Sequence, residues 1–376
     1  MVKFLHTADW QLGMTRHFLA DEAQSRFDGA RIDVIRSIGA LAVDEGCSFV
    51  VVCGDVFESN QVSRQVILRA LDAIGAAPQV AFYLLPGNHD PLDASSVYSS
   101  PTFTEHKPDN VVVLESSSPV EAVSGVELIP APWFTKRPLK DLVADACDGL
   151  EEGDAMRIVV GHGAIDERSP DKSNPALISL SSLEEKIDKR QIHYVALGDR
   201  HSTTDEGRTG RVWYSGAPEP TDYVEINPGN ALLVELDEDQ VHVQERSIGD
   251  WRFLSDEREL TSEEDLDNLE EWLNGLDSKE RTIVKLALIG QVSLAQKARL
   301  DELLDHHSDV LAALEAWERR SELVVVPDDT DLDKLELSGF AREAVDDLSE
   351  LAESGEQAVT AREALALLHR LAGANS

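Results

Sequence analysis

Five short polar clusters, each at the end of an apolar, β-branched run, constrain this chain more than any other feature. Asp9-Trp10-Gln11 follows Lys3 to His6, Gly54-Asp55 follows Phe49 to Cys53, and Gly87-Asn88-His89-Asp90 follows Val80 to Leu85. Gly161-His162 follows Arg157 to Val160, and Gly198-Asp199-Arg200-His201 follows Tyr194 to Leu197. Runs of this length and composition read as buried strands. Carboxylate, amide and imidazole groups therefore recur at the C-terminal ends of successive strands, the edge where open α/β sheets place their chemistry. All three are metal-ligand types, so the pattern predicts a binuclear metal site assembled from strand-end loops.

Between the clusters the first 250 residues alternate strand-like and helix-like segments. Arg26 to Asp44 and Arg64 to Ala76 carry apolar residues at helical spacing. Val111 to Leu114, Val126 to Pro130, Arg211 to Tyr214, Ala231 to Leu236 and Val241 to Glu245 read as further strands. So many strands with flanking helices suit two packed sheets between helical layers. Trp251 to Thr261 reads as a domain junction. Beyond it come a capped acidic helix from Ser262 to Gly275, a strand from Thr282 to Ile289, a long helix from Ser293 to Trp317 and a strand from Leu323 to Val326. Two amphipathic stretches close the chain, Phe340 to Val345 and Ala361 to Leu368.

Charge bears on what such a site can meet. The net charge is -37. Residues 1–200 hold 18 basic and 30 acidic groups, whereas residues 201–376 hold 16 and 41. Such acidity opposes non-specific attraction to a phosphate backbone, although two divalent ions would bring positive charge to the point of contact. No apolar run approaches a membrane span. Met1 to Leu5 runs straight into Asp9 with no secretory leader. Cys47, Cys53 and Cys147 form no C-x-x-C pair. These features predict a chain of the reducing cytoplasm with no membrane partner.

The five clusters, in this order, resemble the calcineurin-like metallophosphoesterases and, within them, the SbcD-type DNA-repair exonucleases. The family pattern is Asp-x-His, Gly-Asp, Gly-Asn-His-Asp, Gly-His and Gly-His-x-His. Three are intact here. Gln11 stands where the first pattern has His, and Asp199 where the last has its first His. The opening Leu5-His6-Thr7-Ala8-Asp9 and the later Trp213-Tyr214-Ser215-Gly216-Ala217-Pro218-Glu219 carry the SbcD flavour. The resemblance covers roughly the first two-thirds of the chain. It implies an α/β fold, a four-layer αββα sandwich over residues 1–250, with a smaller C-terminal α/β capping domain over 251–376. By analogy that capping domain would help select a nucleic-acid end.

Carried over residue by residue, the resemblance gives one ion Asp9, Asp55, His201 and Gln11, and the other Asp55, Asn88, His162 and Asp199. Asp55 would bridge, because two carboxylate oxygens can serve ions roughly 3.5–4 Å apart. Gln11 exchanges a nitrogen donor for an oxygen donor, and Asp199 a neutral nitrogen for a charged oxygen. An oxygen-rich set favours manganese, with magnesium or iron as alternatives, over zinc. His89 is the expected general acid, with Asp90 orienting its ring. Arg16, His17 and Tyr214 are candidate substrate contacts, each with solvated surface or core packing as its other reading. His6 reads as a packed histidine or one that backs the metal ligands, His193 as structural, and the pair His306-His307 as helix surface. Lys186, Lys189 and Arg190 are either a phosphate-tracking cluster or an ordinary helix C-terminus.

The implied reaction is phosphodiester hydrolysis. Three functions follow from it: a nuclease acting on DNA ends or single strands, a phosphodiesterase acting on a small nucleotide or other phosphorylated metabolite, and a scaffold paralogue that has lost its chemistry. The resemblance further implies an SbcC-type ATPase partner docked on terminal helices, whose other reading is that they cover the chain's own core, and a homodimer.

Overall fold

A computed structural model describes residues 1–326 and 340–353, with isolated positions 358, 360, 361, 364, 365 and 367. The tail stretch expected from Ala361 to Leu368 therefore lies in large part outside the described residues. The chain divides into two compact units, Met1–Arg16 with Gln24–Trp251, and His17–Ala23 with Arg252–Ser376. Among the described residues no helix is long and apolar enough to cross a membrane.

In the first unit the apolar runs become strands β1 (Val2–Thr7), β2 (Phe49–Cys53), β3 (Ala81–Leu85) and β4 (Val111–Val113) of one sheet. Strands β5 (Val120–Val123), β6 (Val126–Pro130), β7 (Met156–His162), β8 (Tyr194–Gly198), β9 (Thr204–Glu206) and β10 (Val212–Tyr214) form a second sheet. β11 (Asn230–Leu236) and β12 (Val241–Ser247) return to the first. The orders are β12-β11-β1-β2-β3-β4 and β5-β6-β7-β8-β10-β9. β1 to β4 pair in parallel, as do β6, β7, β8 and β10, while the outer strands are antiparallel.

Side-chain alternation sorts the apolar residues into three slabs. In β2, Phe49, Val51 and Cys53 point between the sheets, where they meet Ile158 and Val160 of β7 and Tyr194 and Ala196 of β8. Val50 and Val52 point outward onto helices α1 (Asp21–Asp44) and α2 (Arg64–Gly75), through Ile35, Ile38, Ile67 and Leu71. On the far side Val159, Val195 and Leu197 meet Val143 of α4 (Leu142–Ala146) and Leu183 of α5 (Leu180–Asp188). A short helix α3 (Pro101–His106) precedes β4. The result is the four-layer αββα sandwich. It is buried on both faces of each central strand, as parallel sheets require.

The second unit is built on one parallel sheet around β14 (Thr282–Val292). β13 (Arg252–Leu260) lies along one edge of it, while β15 (Ala313–Ala316) and β16 (Glu322–Val325) share the other. Helices α6 (Glu263–Asn274), α7 (Leu294–Val310) and α8 (Phe340–Glu353) accompany it. Leu266, Leu269 and Leu273 of α6 bury against Val284, Leu286, Leu300 and Val345. Ser262 and Ser293 cap α6 and α7 through reciprocal capping boxes with Asp265 and Gln296. Three expectations are corrected here. The boundary between the units falls after Trp251, inside the stretch expected as a junction, but from Arg252 that stretch is β13, paired to β14 over its whole length. The long helix expected to reach Trp317 ends at Val310, because Ala313–Ala316 pairs with β14. His306 is exposed as expected of helix surface, but His307 is fully buried.

Candidate metal centre

Five strands of the first unit deliver the polar clusters to one edge: β1, β2 and β3 from one sheet, β7 and β8 from the other. The backbone is bent hard to do so. Asp9, Gln11, Asp55 and Asp199 all have positive φ (54°, 43°, 51° and 96°), a conformation uncommon outside glycine. Their loops are locked together by Asp9 N donating to Gly54 O and Gln11 N to Asp55 O, at 3.1 and 2.8 Å. Two glycines let the sheets approach. A Cβ at Gly54 would stand 2.1 Å from His162 Nδ1, and one at Gly198 would stand 2.0 Å from the Cys53 carbonyl oxygen.

The centre of this edge is His162. Its Nδ1 lies 2.8 Å from Cys53 O, so an N–H there donates to the carbonyl and leaves the Nε2 lone pair facing inward. Facing it are Asn88 Oδ1 at 2.7 Å, Asp55 Oδ2 at 3.4 Å and Asp199 Oδ1 at 3.8 Å. Ligand atoms of Asp9, Asp55 and His162 lie within 4.8 Å of one another, all on buried residues. Electron-rich atoms gathered this closely require positive charge among them, either a proton on Nε2 or a cation. The titration directions express the same demand. Burial alone would lower the His162 imidazole, but Asp55, Asp9 and Asp199 outweigh it and hold its pKa well above the usual value. Burial pushes the Asp9 carboxyl up to about 6 and raises Asp199, while for Asp55 the neighbouring His162 overcomes burial and lowers it. The donor set and its geometry fit a divalent cation.

The other expected ligands stand a little apart. His201 Nδ1 is held by Thr221 Oγ1 at 2.7 Å and Glu225 Oε1 at 3.1 Å, which turns Nε2 toward Gln11 Nε2 at 3.1 Å. Burial opposes protonation of His201, but the Glu225 hydrogen bond and the Asp9 charge raise its pKa. Gln11 is 4% exposed, and its Oε1 is buried with no hydrogen-bond partner. Asp199 contributes twice: its backbone N donates to both Asp9 oxygens at 3.1 Å, and its side chain, 35% exposed, faces the centre.

A family model for the calcineurin-like phosphoesterases matches residues 2–229. The chain belongs to that family. It is a metallophosphoesterase, a metal-dependent hydrolase of phosphoesters. It is 27% identical over 155 residues to the SbcD subunit of the nuclease SbcCD from Bacillus subtilis, an alignment covering 40% of this chain and 33% of that protein. It is 30% identical over 94 residues to the SbcD subunit of the nuclease SbcCD from Rhodobacter capsulatus, covering 24% and 22%. The alignments thus span about a third or less of the curated relatives. Among solved structures it is similar to a dimetal phosphatase from Danio rerio, with 12% identity, a TM-score of 0.42, and 65% of this chain and 96% of that one covered.

The metallophosphoesterase edge opens into a cleft of ≈ 540 Å³ lined by Gln11, Arg16, His89, Asp199, Arg200 and His201 among others. A slightly larger cavity, ≈ 580 Å³, lies at the opposite strand ends near Met1, Ser48, Gly125 and His193, and none of the five clusters reaches it. In the cleft His89 is about one-third exposed, at 37%. Its Nδ1 lies 2.9 Å from the Glu58 carbonyl oxygen, and its Nε2 stands 3.9 Å from Asp55 Oδ2. Its backbone N donates to Asp55 Oδ1 at 2.9 Å, tying it to the residue expected to bridge.

Three expected roles are corrected. Asp90 does not orient His89. It is fully buried and accepts from Gly87 N, Phe57 N and the Tyr98 hydroxyl, at 2.8, 3.0 and 2.6 Å, so it shapes the loop from beneath. Burial, then the Asp55 charge, push its carboxyl up to about 6. Tyr214 is 1% exposed, with its hydroxyl between Gly163 O and Ile165 N, so it is core and not a substrate contact. His17 is exposed, edge-on to Phe18 in the segment that packs with the second unit, and does not line the cleft. Arg16 does line it, with Nη2 donating to Thr221 O. In the cluster Lys189 and Arg190 pair with Glu185 and Asp239, and Lys186 donates to Cys147 O. His6 and His193 are packed, as their positions suggested.

Sequence reading missed Glu225, Thr221 and Glu58. Glu225 lies 24 positions after His201, in a loop just past the Trp213–Glu219 stretch, and only the fold shows that it holds His201 Nδ1. Arg31 was missed as well. It is 2% exposed, donates from Nε to Trp10 O at 3.0 Å, and so braces the loop between Asp9 and Gln11.

Proposed function

We propose that this metallophosphoesterase hydrolyses phosphodiester bonds in DNA, as a DNA-repair exonuclease and endonuclease of the SbcD type. The observation that carries the reading is the convergence of Asp55, Asn88 and Asp199 on His162 Nε2, with His89 beside them in an open cleft. The similarity to the SbcD subunits of two SbcCD nucleases supports DNA as the substrate.

Asp9, Asp55, Asn88, His162, Asp199, His201 and Gln11 would hold the metal. When bound, two divalent ions would make a water molecule more acidic and polarise the phosphoryl oxygens. Of their seven ligands three are carboxylates and two are amides, and such oxygen-rich chemistry supports manganese. The chain's own groups do the rest. Cys53 O fixes the His162 tautomer, and Glu225 fixes that of His201. Glu58 O holds the His89 ring through Nδ1, so Nε2 is the atom free to give a proton to the leaving oxygen. Arg16 and Arg200 stand in the cleft wall where the phosphate backbone would pass.

Two further roles belong to this reading: residues 251–376 as a capping module, and an SbcC-type ATPase and a second copy of the chain as partners. Three buried, unpaired cysteines support a reducing cytoplasm. A second reading, hydrolysis of a small phosphodiester, is favoured by one observation. Glu58, Asp222 and Glu225 line the same cleft, so a polyanion meets acidic walls. The test is Mn²⁺-dependent hydrolysis of linear duplex DNA beside a small aryl phosphodiester, with wild type and His89→Ala. DNA cleavage that His89→Ala abolishes supports the nuclease. Cleavage of the aryl ester alone supports the second reading, and cleavage of neither removes both.

A further inference from the structure

We infer that the two metal positions are unequal: one is ready-made around His162, and Gln11 latches the other shut. The inference rests on the metallophosphoesterase reading of the site and divides its ligands into two sets.

At the first position the ligand atoms already face one another. Asn88, Asp55 and Asp199 present oxygens to His162 Nε2 at 2.7, 3.4 and 3.8 Å, and the ring's other nitrogen is committed to Cys53 O. A cation there replaces one proton and needs no rotation of any side chain.

The second position differs in one respect. Thr221 and Glu225 hold His201 Nδ1, so Nε2 is the only ring atom left to bind metal. That atom is taken: Gln11 Nε2 stands 3.1 Å from it, a donor placed on the lone pair a cation would need. The amide oxygen is left buried with no partner. A histidine at this position is not bound to block His201, because in one of its tautomers the nitrogen beside His201 carries a lone pair and no N–H. Gln11 can join the ligand set only through its unpaired Oε1, and His201 can join it only once Gln11 Nε2 gives up the Nε2 lone pair it occupies. Leaving Oε1 unpaired in the closed state and breaking a buried hydrogen bond in the open one both carry a cost, so the side chain behaves as a two-position latch. The first ion therefore binds without rearrangement, and the second only against the latch.

Titration of metal-free protein with Mn²⁺, followed by equilibrium dialysis and electron paramagnetic resonance, tests this independently of turnover. Wild type should bind one ion tightly and show the hyperfine pattern of an isolated Mn²⁺, with the second ion at least about tenfold weaker. Gln11→Glu keeps the side-chain length but cannot donate to His201. It should bring the second affinity toward the first and produce the signal of an exchange-coupled pair at two equivalents. Gln11→His should do the same and serves if the Glu variant fails to fold. Two ions of equal affinity in wild type, coupled from the start of the titration, would overturn the latch. So would a second ion as weak in both variants as in wild type. No bound Mn²⁺ in any variant would remove the metallophosphoesterase reading itself, a result separate from both of these.

Discussion

The two units of this chain handle polar groups in opposite ways. In the first, buried carboxylates and imidazoles gather at one edge of the sandwich, on loops whose backbone is strained. Of the seven non-glycine residues with positive φ among the described residues, Asp9, Gln11, Asp55 and Asp199 are ligand candidates, and only Ser278 lies in the second unit. Such conformations cost about 1–3 kcal/mol each and persist only where the surrounding structure enforces them. In the second unit the described buried polar residues are few, Thr282 and His307. Its charges lie outside a leucine-rich core, as where Arg299 meets Glu263, Asp267 and Glu270. The first unit concentrates strained, buried polar residues at one edge, and the second keeps its charges outside an apolar core.

The sharpest test of that contrast is His162→Ala. It removes the atom on which the ligands converge, so tight Mn²⁺ binding measured by dialysis should disappear and turnover should fall to background. Retained tight binding would mean that the convergence is not the metal position. His89→Ala comes next. It should lower kcat by about 10²–10⁴-fold while leaving the bound Mn²⁺ unchanged, because His89 is placed by Glu58 O and does not face the His162 centre as a ligand. Unchanged turnover would remove its role as acid.

What the sequence made legible follows the same division. The central strands were readable because Phe49–Cys53 and Tyr194–Gly198 are buried on both faces, and the candidate ligands because each follows such a strand directly. Asp90 was misread because sequence neighbours on a tight loop point in different directions: His89 faces the cleft, while Asp90 turns under to bind Gly87 and Phe57 N–H groups. Glu225 left no signal, since a loop fold and not a pattern brings it to His201. In the second unit β13 was hidden by its charges. Ser255-Asp256-Glu257-Arg258-Glu259 suits an edge strand but reads as a linker. Leu311-Ala312-Ala313-Leu314 are good helix formers, yet pairing with β14 overrides that propensity.

Leu269→Ala probes the other side of the contrast. Leu269 is fully buried on α6 in the core of the second unit. The change should cost about 2–5 kcal/mol by denaturant unfolding, with Mn²⁺ affinity unaltered. A large change in Mn²⁺ affinity would show that the two units do not keep stability and chemistry apart. Glu225→Gln reverses the pattern. It should weaken binding of the His201-coordinated ion by about 10–100-fold, since the carboxylate fixes the ring that binds it, with little loss of stability. Equal affinities would reduce Glu225 to a loop tether for Thr221.

The smallest expected effects come from a buried histidine in each unit, where the contrast can be read without metal. His6 lies between the sheets, with Nδ1 3.1 Å from the Tyr194 hydroxyl and Nε2 3.1 Å from Leu197 O. His307 is equally buried, but neither ring nitrogen has a partner among the described residues. Burial lowers both pKa values, that of His6 to about 3. The unfolded chain therefore takes up a proton that the folded one refuses, and each ring's contribution to stability is complete above pH 6.5 and lost as pH falls. For His6 the loss runs from 6.5 toward 3, at about 1.4 kcal/mol per pH unit. His6→Leu should flatten that slope but cost about 1–3 kcal/mol at about pH 8, because Leu197 O and the Tyr194 hydroxyl lose their partner. His307→Leu should flatten the slope too, yet leave stability at about pH 8 unchanged or raise it by about 1 kcal/mol, because it strands no group and removes two unpaired nitrogens. Opposite signs under those conditions would show that the first unit uses its buried polar atoms and the second merely carries one. A loss of stability from His307→Leu as large as that from His6→Leu would show that His307 has a partner of its own and that the second unit, too, depends on a buried polar contact.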